Sequence, residues 1–208
     1  MHINELTPLT LDLVEPASLA CARAFAGDPS THYLIPDPSK RPNLRYSFEY
    51  YLKLAVLSKG YEVYATSPGC EGIAVWVQPD ASESVLDHFR AGWPFLPLRC
   101  GWQHLFREAA VDAHFGKLRR ELAPRRHLYL ALLAVDPAHQ GHGFASKLIH
   151  QVLERLNEEG MPAYLETQNL KNVAMYGRWG FRLLREETMP GSDFKMYLML
   201  RDPAKSSE

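Results

Sequence analysis

The sequence predicts a single α/β domain built on a mixed, mostly antiparallel sheet of six or seven strands. A buried strand, an amphipathic helix and a second strand follow one another over residues 127–167, and this order gives a parallel pair with a right-handed crossover. Hairpin patterns over residues 61–78 and after residue 181 add antiparallel strands. At 208 residues the chain is long enough to bury one full core.

The N-terminal half alternates short strands with helices. The predicted elements are a strand over 9–14, helices over 17–26 and 43–59, and a hairpin of strands over 61–66 and 72–78. Residues 80–126 are mostly helical in pattern and are broken at Pro94 and Pro97. Residues 93–102 are unusually apolar for a connector, and three interpretations stay open: packed core, a lid, or a subunit contact that would make a homodimer.

The C-terminal half has the clearest pattern. Residues 127–135 are too apolar for a half-exposed strand and suit a buried central one. Residues 143–159 form an amphipathic helix with one apolar stripe. A strand over 163–167, a short helix over 172–179 and two strands around Pro190 follow. We therefore expect one domain over residues 1–202, with the polar tail 203–208 frayed.

Composition excludes several classes of protein. A net charge of −1 offers no basic face for nucleic acid, and no apolar run is long enough to span a membrane. The N-terminus lacks a signal-peptide pattern. Cys21, Cys70 and Cys100 are odd in number and widely spaced, which indicates neither a disulfide framework nor a zinc site. We expect a cytoplasmic protein with no metal, membrane or nucleic-acid partner.

A glycine turn joins the buried strand to the amphipathic helix. It reads Gln140-Gly141-His142-Gly143-Phe144-Ala145. Free N–H groups and the positive end of the helix dipole bind phosphate oxygens well, and a Cβ at either glycine would crowd the approach of a pyrophosphate.

Two other interpretations of this turn remain. One is a tight turn that merely needs glycine. The other is a dinucleotide-binding fingerprint, with Glu166 about 20 residues on at a strand end. That fingerprint usually opens a longer series of alternating strands and helices, whereas here only a short helix and an antiparallel pair follow. The turn is not a P-loop, because no Gly-Lys-Ser/Thr follows it.

The segment 134–145 (AVDPAHQGHGFA) resembles the acetyl-CoA motif of the GNAT superfamily of N-acetyltransferases. A second segment, Leu165-Glu166-Thr167 followed by Asn172 and Tyr176 and then by Gly180-Phe181, is similar to members related to puromycin N-acetyltransferase. The two motifs cover residues 127–181, the expected acetyl-CoA core, and residues 1–126 match only loosely. The resemblance implies a sheet that splays at its parallel pair and carries helices on both faces.

The resemblance also implies a function and a site. The chain would transfer an acetyl group from acetyl-CoA to a primary amine of a small molecule or peptide, by direct attack in a ternary complex. Tyr176 would protonate the departing thiolate, and Glu166 would take the proton of the acceptor ammonium group. The implied cofactor-binding residues are Leu133, Ala134, Val135, Gln140, Gly141, His142, Gly143, Phe144, Ala145, Asn172 and Tyr176.

Plainer interpretations stand beside these roles. Tyr176 could be a packed aromatic residue, and Glu166 could be a carboxylate paired with a nearby arginine or lysine. At the level of the whole chain, the alternative is a non-catalytic domain that binds or senses acyl-CoA. Acylation of a hydroxyl group, or transfer of a longer acyl chain, is a third interpretation.

Overall fold

A computed structural model describes residues 6–204, so residues 1–5 and the last four residues of the predicted tail lie outside it. The described residues form a seven-stranded sheet in the order β1-β2-β3-β4-β5-β7-β6. The strands are β1 Thr7–Pro8, β2 Lys59–Ala65, β3 Gly72–Ser82, β4 Leu128–Val135, β5 Ala163–Thr167, β6 Arg182–Thr188 and β7 Lys195–Arg201. Strands β4 and β5 run parallel, and the other neighbouring pairs run antiparallel. The predicted fold class is confirmed.

Helices cover both faces of this sheet, as expected. They are α1 Val14–Phe25, α2 Pro29–Leu34, α3 Leu44–Leu57, α4 Val85–Ala91, α5 Leu96–Cys100, α6 Trp102–Leu122, α7 Phe144–Glu158 and α8 Leu170–Gly177. The apolar stripe of α7, including Leu148 and Ile149, packs on Trp76 of β3. On the other face, Cys21 of α1 and Leu52 of α3 share a second cluster with the sheet. Burial of these two layers is the main stabilisation of the sheet.

Strand β4 lies at the centre of the sheet and changes faces along its length. Leu128 and Leu130 belong to the core under α7, whereas Leu132 and Ala134 belong to the core under α1 and α3. The adjacent residues Val75 and Trp76 of β3 pair with Leu132 and Leu130 of β4. Ala131 is therefore an extra residue in β4, that is, a β-bulge. An extra residue at a bulge re-aims the side chains that follow it, and β4 can therefore bury residues on both faces.

The prediction of a strand over residues 9–14 is wrong. Strand β1 is only two residues long, and Leu11–Leu13 form a 3-10 turn that leads into α1. Pro16 lies in the first turn of α1, where an amide N–H would have no helical partner. The prolines at 94 and 97 likewise begin short helices, and the backbone breaks at Gly92 and Gly101, where φ is 99° and 83°.

The predicted helical segment 80–126 begins with the last three residues of β3 and continues as α4, α5 and α6, and much of the outer surface of these helices is apolar. Trp93 and Trp102 are 54% and 62% exposed, so the interpretation of these two as core residues is wrong, whereas Trp76 is fully buried. The other large exposed apolar side chains of this segment are Val85, Leu86, Phe89, Phe95, Leu98 and Phe106. Within residues 6–204, none of the helices combines the length and the apolar character needed to cross a bilayer.

Candidate active site

A groove of about 490 Å³ lies where β4, the glycine turn and α8 meet. The predicted cofactor-binding residues that line it are Leu133, Ala134, Val135, Gln140, Gly141, Gly143, Phe144, Ala145, Asn172 and Tyr176. His142 does not line the groove. Its imidazole is exposed, and its Nδ1 lies 3.2 Å from the carbonyl oxygen of His139. The structure thus brings all but one of the predicted set to a single surface.

The glycine turn needs glycine for its own conformation. Gly141 and Gly143 have φ values of 81° and 82°, in the left-handed region that side chains with a Cβ rarely adopt. A Cβ built on either one would meet no described atom within 4 Å, so the turn faces open space. Helix α7 starts here without a side-chain cap, which leaves first-turn N–H groups for a ligand. The tight-turn requirement and an anion site therefore coincide.

An ion pair holds the start of this turn in place. The Arg23 guanidinium of α1 contacts the carboxylate of Asp136, which is the first residue after β4. Asp136 also accepts a hydrogen bond from the N–H of Ala138 at 3.1 Å. These contacts, the Arg23 hydrogen bond first, lower the pKa of Asp136 below its usual value. The chain therefore leaves β4 in a fixed direction, and the glycine turn is positioned from the sheet.

The charge of the groove favours an anion. Lys171 and Arg178 of the α8 region line it, against a single carboxylate, that of Asp28. The N-terminus of α7 adds the partial positive charge of the helix dipole. Phosphate groups are the natural occupants of such a surface.

Tyr176 is anchored as an aromatic residue, with its side chain on the groove. Its ring packs edge-on against Trp179 at 5.7 Å and against Phe181 at 5.8 Å. Burial raises the pKa of its hydroxyl well above the usual value, so the group stays protonated at neutral pH. Asn172, one turn earlier on α8, donates to the hydroxyl of Thr167 at 3.3 Å. The Tyr176 ring is thus fixed by aromatic contacts, while its protonated hydroxyl can act as a proton donor.

Strands β4 and β5 separate beside this groove. Their parallel pairing ends with Leu130 opposite Leu165, one residue before the β-bulge at Ala131. Beyond that point the β5-facing edge of β4 lacks a partner in β5, and Glu166 is the first residue of β5 past the last pair. The predicted splay is present, and Glu166 lies at its base.

Glu166 faces a second cavity, of about 470 Å³, on the other side of the splay. Its Oε2 accepts a hydrogen bond from the hydroxyl of Tyr129 at 2.9 Å, and its Oε1 lies 3.8 Å from Nη1 of Arg119. The arginine predicted by the plainer interpretation is therefore present. Burial is nevertheless the largest influence and raises the pKa of Glu166 above its usual value, against the opposing effect of Arg119.

Helix α6 adds two carboxylates to this cavity that the sequence interpretation missed. Glu108 and Asp112 both line it, one turn apart on the helix. Burial, and then repulsion by Asp112, raises the pKa of Glu108 to about 7. The pKa of Asp112 is raised as well, mainly by burial. Their spacing at i and i+4 was the one sequence feature that could have pointed to this pair, but such acidic pairs are also common on the exposed faces of helices.

The two predicted catalytic residues lie on opposite sides of β4. Tyr176 lines the groove, and Glu166 lines the cavity. Phe25 of α1 borders both, so the two spaces are neighbours. Among residues 6–204, no three His, Cys, Asp or Glu side chains are grouped so as to hold a metal ion.

Part of the chain is similar in sequence to known proteins. Residues 106–181 match the sequence model described as the Acetyltransferase (GNAT) family. A mycothiol acetyltransferase from Brachybacterium faecium is 38% identical over 36% of this chain, and an uncharacterized N-acetyltransferase from Schizosaccharomyces pombe is 32% identical over 38%. These matches span 24% and 33% of the relatives' own lengths.

A solved structure extends the similarity of fold to nearly the whole chain. It is a Corynebacterium glutamicum protein described as histone acetyltransferase HPA2 and related acetyltransferase. It has a TM-score of 0.65 and 23% identity, and the match covers 98% of each chain. The stretch from α6 to the end of α8, which supplies most of the lining of the groove and about half of that of the cavity, lies almost wholly within the segment similar to this family.

Proposed function

We propose that this chain is an acetyl-CoA-dependent N-acetyltransferase that acts on a primary amine by direct attack in a ternary complex. The main support for this proposal is that a groove lined by basic side chains and a cavity lined by carboxylates are neighbours where β4 and β5 separate. The groove favours an anionic donor, and the cavity favours a cationic acceptor. A single molecule of uniform charge would suit only one of them.

The groove fits the shape and charge of a pantetheine diphosphate. N–H groups at the start of α7 and the open space beside Gly141 and Gly143 suit pyrophosphate oxygens. The unpaired edge of β4 near Leu133 and Val135 offers N–H groups to the pantetheine amides and to the carbonyl oxygen that gains charge. Bound acetyl-CoA supplies the acetyl group as a thioester.

Glu166 is proposed to remove the proton of the acceptor ammonium group, directly or through a water molecule. Burial raises the pKa of the Glu166 carboxylate, and a carboxylate with a raised pKa is a stronger base than an ordinary one. Tyr129 and Arg119 hold it in place, and both also help to keep it ionised. The neutral amine then attacks from the cavity side.

Tyr176 is proposed to donate its proton to the departing thiolate. Its hydroxyl is protonated at neutral pH, and its side chain lies on the groove beside Asn172. The new N–C bond forms as the C–S bond breaks. The nitrogen gives one proton to Glu166 before it attacks and loses a second afterwards, the sulfur takes the proton of Tyr176, and the second nitrogen proton restores the Tyr176 hydroxyl through solvent. This division of roles matches the placement of the two side chains on either side of β4.

Two measurements test the proposal. Acetyl-CoA at about 100 times its dissociation constant is expected to stabilise the fold by roughly 2.7 kcal/mol in a thermal-shift titration, with NAD as the matched negative control. Release of free CoA thiol is then followed with a panel of primary amines. Stabilisation by NAD alone would contradict the proposal, and CoA binding without transfer to any amine would favour a sensing domain.

A further inference from the structure

Carboxylates dominate the charge of the cavity beside Glu166. Glu83, Glu108, Asp112 and Glu166 line it, and Arg119 is the one lysine or arginine among its described lining residues. His104 also lines it, but burial lowers the pKa of this imidazole, so the ring is neutral at pH 7. An anionic ligand would be repelled here, and a cation would be attracted.

The four carboxylates differ in how well they are paired. Glu83 is engaged, because it accepts from the Tyr61 hydroxyl and lies 3.1 Å from Nε2 of His88. Glu166 is 6% exposed, and its Oε1 has no hydrogen bond of good geometry within residues 6–204, although Arg119 and the Tyr164 hydroxyl lie nearby. A buried carboxylate oxygen without a donor is costly, which indicates a ligand that donates to it.

The acidic pair on α6 is even less compensated. The one basic side chain within 4 Å of Glu108 among the described residues is His104, whose neutral ring lies 3.6 Å away, and Asp112 has no ion pair among the same residues. The Glu108 side chain is 41% exposed, yet protein surrounds it closely enough to raise its pKa. The two carboxylates therefore repel each other inside a concave surface that a small molecule can enter.

The spacing along α6 sets a length. Asp112 and Arg119 are seven residues apart, which at about 1.5 Å per residue is roughly 10 Å of helix, and Glu108 is a turn farther. The Arg119 guanidinium, which contacts Glu166, lies back along the helix beside Gly116. Gly116 is four residues after Asp112 and eight after Glu108, which is about 6 Å and roughly 12 Å of helix. A single ammonium group at Glu166 therefore cannot also contact Glu108.

The walls between these two places are aromatic. Phe48, Tyr51, Phe115 and Phe194 line the cavity. Aromatic faces attract organic cations and also pack against methylene chains. A volume of about 470 Å³ suits a small molecule rather than a folded protein segment.

We infer that the acceptor is a small, flexible aliphatic amine with two or more cationic groups. Its reacting nitrogen lies at Glu166, and a second ammonium group binds between Glu108 and Asp112. This inference rests on the proposed function and names the acceptor class for the same site. Transfer forms the N–C bond at one nitrogen only, releases CoA thiol, and leaves the second ammonium group unchanged.

Matched amines test this inference. Octamethylenediamine and octylamine have the same chain length and differ only in the second nitrogen. The second ammonium group of the diamine can donate a hydrogen bond to a carboxylate of the acidic pair, and such a charged hydrogen bond strengthens binding. We therefore expect kcat/KM for the diamine to exceed that for the monoamine by about 10- to 100-fold. Tetramethylenediamine is too short to join the two places, and its advantage over butylamine should be small.

Variants on α6 identify the residues responsible. The double variant Glu108→Gln/Asp112→Asn should reduce the diamine-to-monoamine ratio to within about threefold of unity. Glu121→Gln, which removes a carboxylate on the same helix outside the cavity, should keep the wild-type ratio. Stabilisation by acetyl-CoA checks that each variant is folded, and Asp112→Asn alone serves if the double variant is not.

The outcomes are separable. Equal kcat/KM for both eight-carbon amines, or a diamine preference that survives the double variant, would overturn this inference and leave the proposed function standing. Transfer to neither amine, while other primary amines of the panel are acetylated, would overturn this inference and leave the proposed function standing, whereas transfer to no amine of the panel, with acetyl-CoA binding intact, would count against both. A diamine preference that disappears in Glu108→Gln/Asp112→Asn, or in Asp112→Asn alone, and persists in Glu121→Gln supports both.

Discussion

Replacing Tyr176 with phenylalanine removes one hydroxyl group from the groove and keeps the aromatic ring. No hydrogen bond to this hydroxyl from another residue is found within the described part of the chain, and the contacts of the ring with Trp179 and Phe181 involve only aromatic surface. The change in the free energy of unfolding should therefore stay within about 0.5 kcal/mol. Loss of a general acid typically lowers a rate about 10²–10⁴-fold, so kcat should fall in that range.

The assay follows release of CoA thiol with both substrates saturating, and a thermal-shift titration reports acetyl-CoA binding separately. Tyr197→Phe is the matched control, because Tyr197 is also buried but does not line the groove. Wild-type turnover in Tyr176→Phe would refute the role of this hydroxyl. A large loss of acetyl-CoA affinity would also count against it, since one hydrogen bond is a minor share of a ligand held along the whole groove.

Three further predictions concern the glycine turn and the cavity. Gly143→Val should abolish acetyl-CoA binding in the thermal-shift assay. Gly143→Asn separates backbone strain from crowding, because asparagine tolerates the left-handed conformation. Full affinity in the Asn variant would mean that Gly143 is needed for the backbone conformation alone. Glu166→Gln should lower kcat, with a deficit that shrinks as pH rises and more amine is already neutral; a pH-independent deficit would argue against a base. Because the folded-state pKa of Glu108 is raised to about 7, the stability it contributes is present below its unfolded pKa and is lost as pH rises toward 7. Glu108→Gln should therefore raise Tm at pH 8 and leave it nearly unchanged at pH 4, and Glu121→Gln should show no such trend in the same melting experiments.

The local patterns of the C-terminal half were sufficient to predict its elements. The strand over 163–167 has its predicted bounds, and the helix predicted over 143–159 spans Phe144–Glu158. In both elements the apolar residues follow one uninterrupted period, and the residues of that pattern are the ones buried in the fold. The strand predicted over 9–14 failed because a short apolar run without a clear period fits either a strand or the start of a helix.

The groove was predictable and the cavity was not, for a physical reason. Most of the groove comes from one strand–turn–helix unit and a helix shortly after it, so most of its residues are close in sequence, and only Ala24, Phe25 and Asp28 come from far along the chain. The cavity joins α6 to β4 and β5 through contacts such as that of Arg119 with Glu166, 47 positions apart. Charged residues lie all around α6, and nothing in the sequence indicates that Glu108 and Asp112 face inward.

The separation of β4 from β5 after Leu130 has a consequence for inhibitors. Ligands of the groove and of the cavity share Phe25 as a border but otherwise contact different residues. Two fragments found independently, one for each space, could be joined by a tether that passes between the strands beside Ala131. Tethering makes the second binding event intramolecular, so two weak fragments would combine into one tight ligand without any new contact. The width of the gap between the strands would then set the thickness of the tether, and chain flexibility on either side would set its best length.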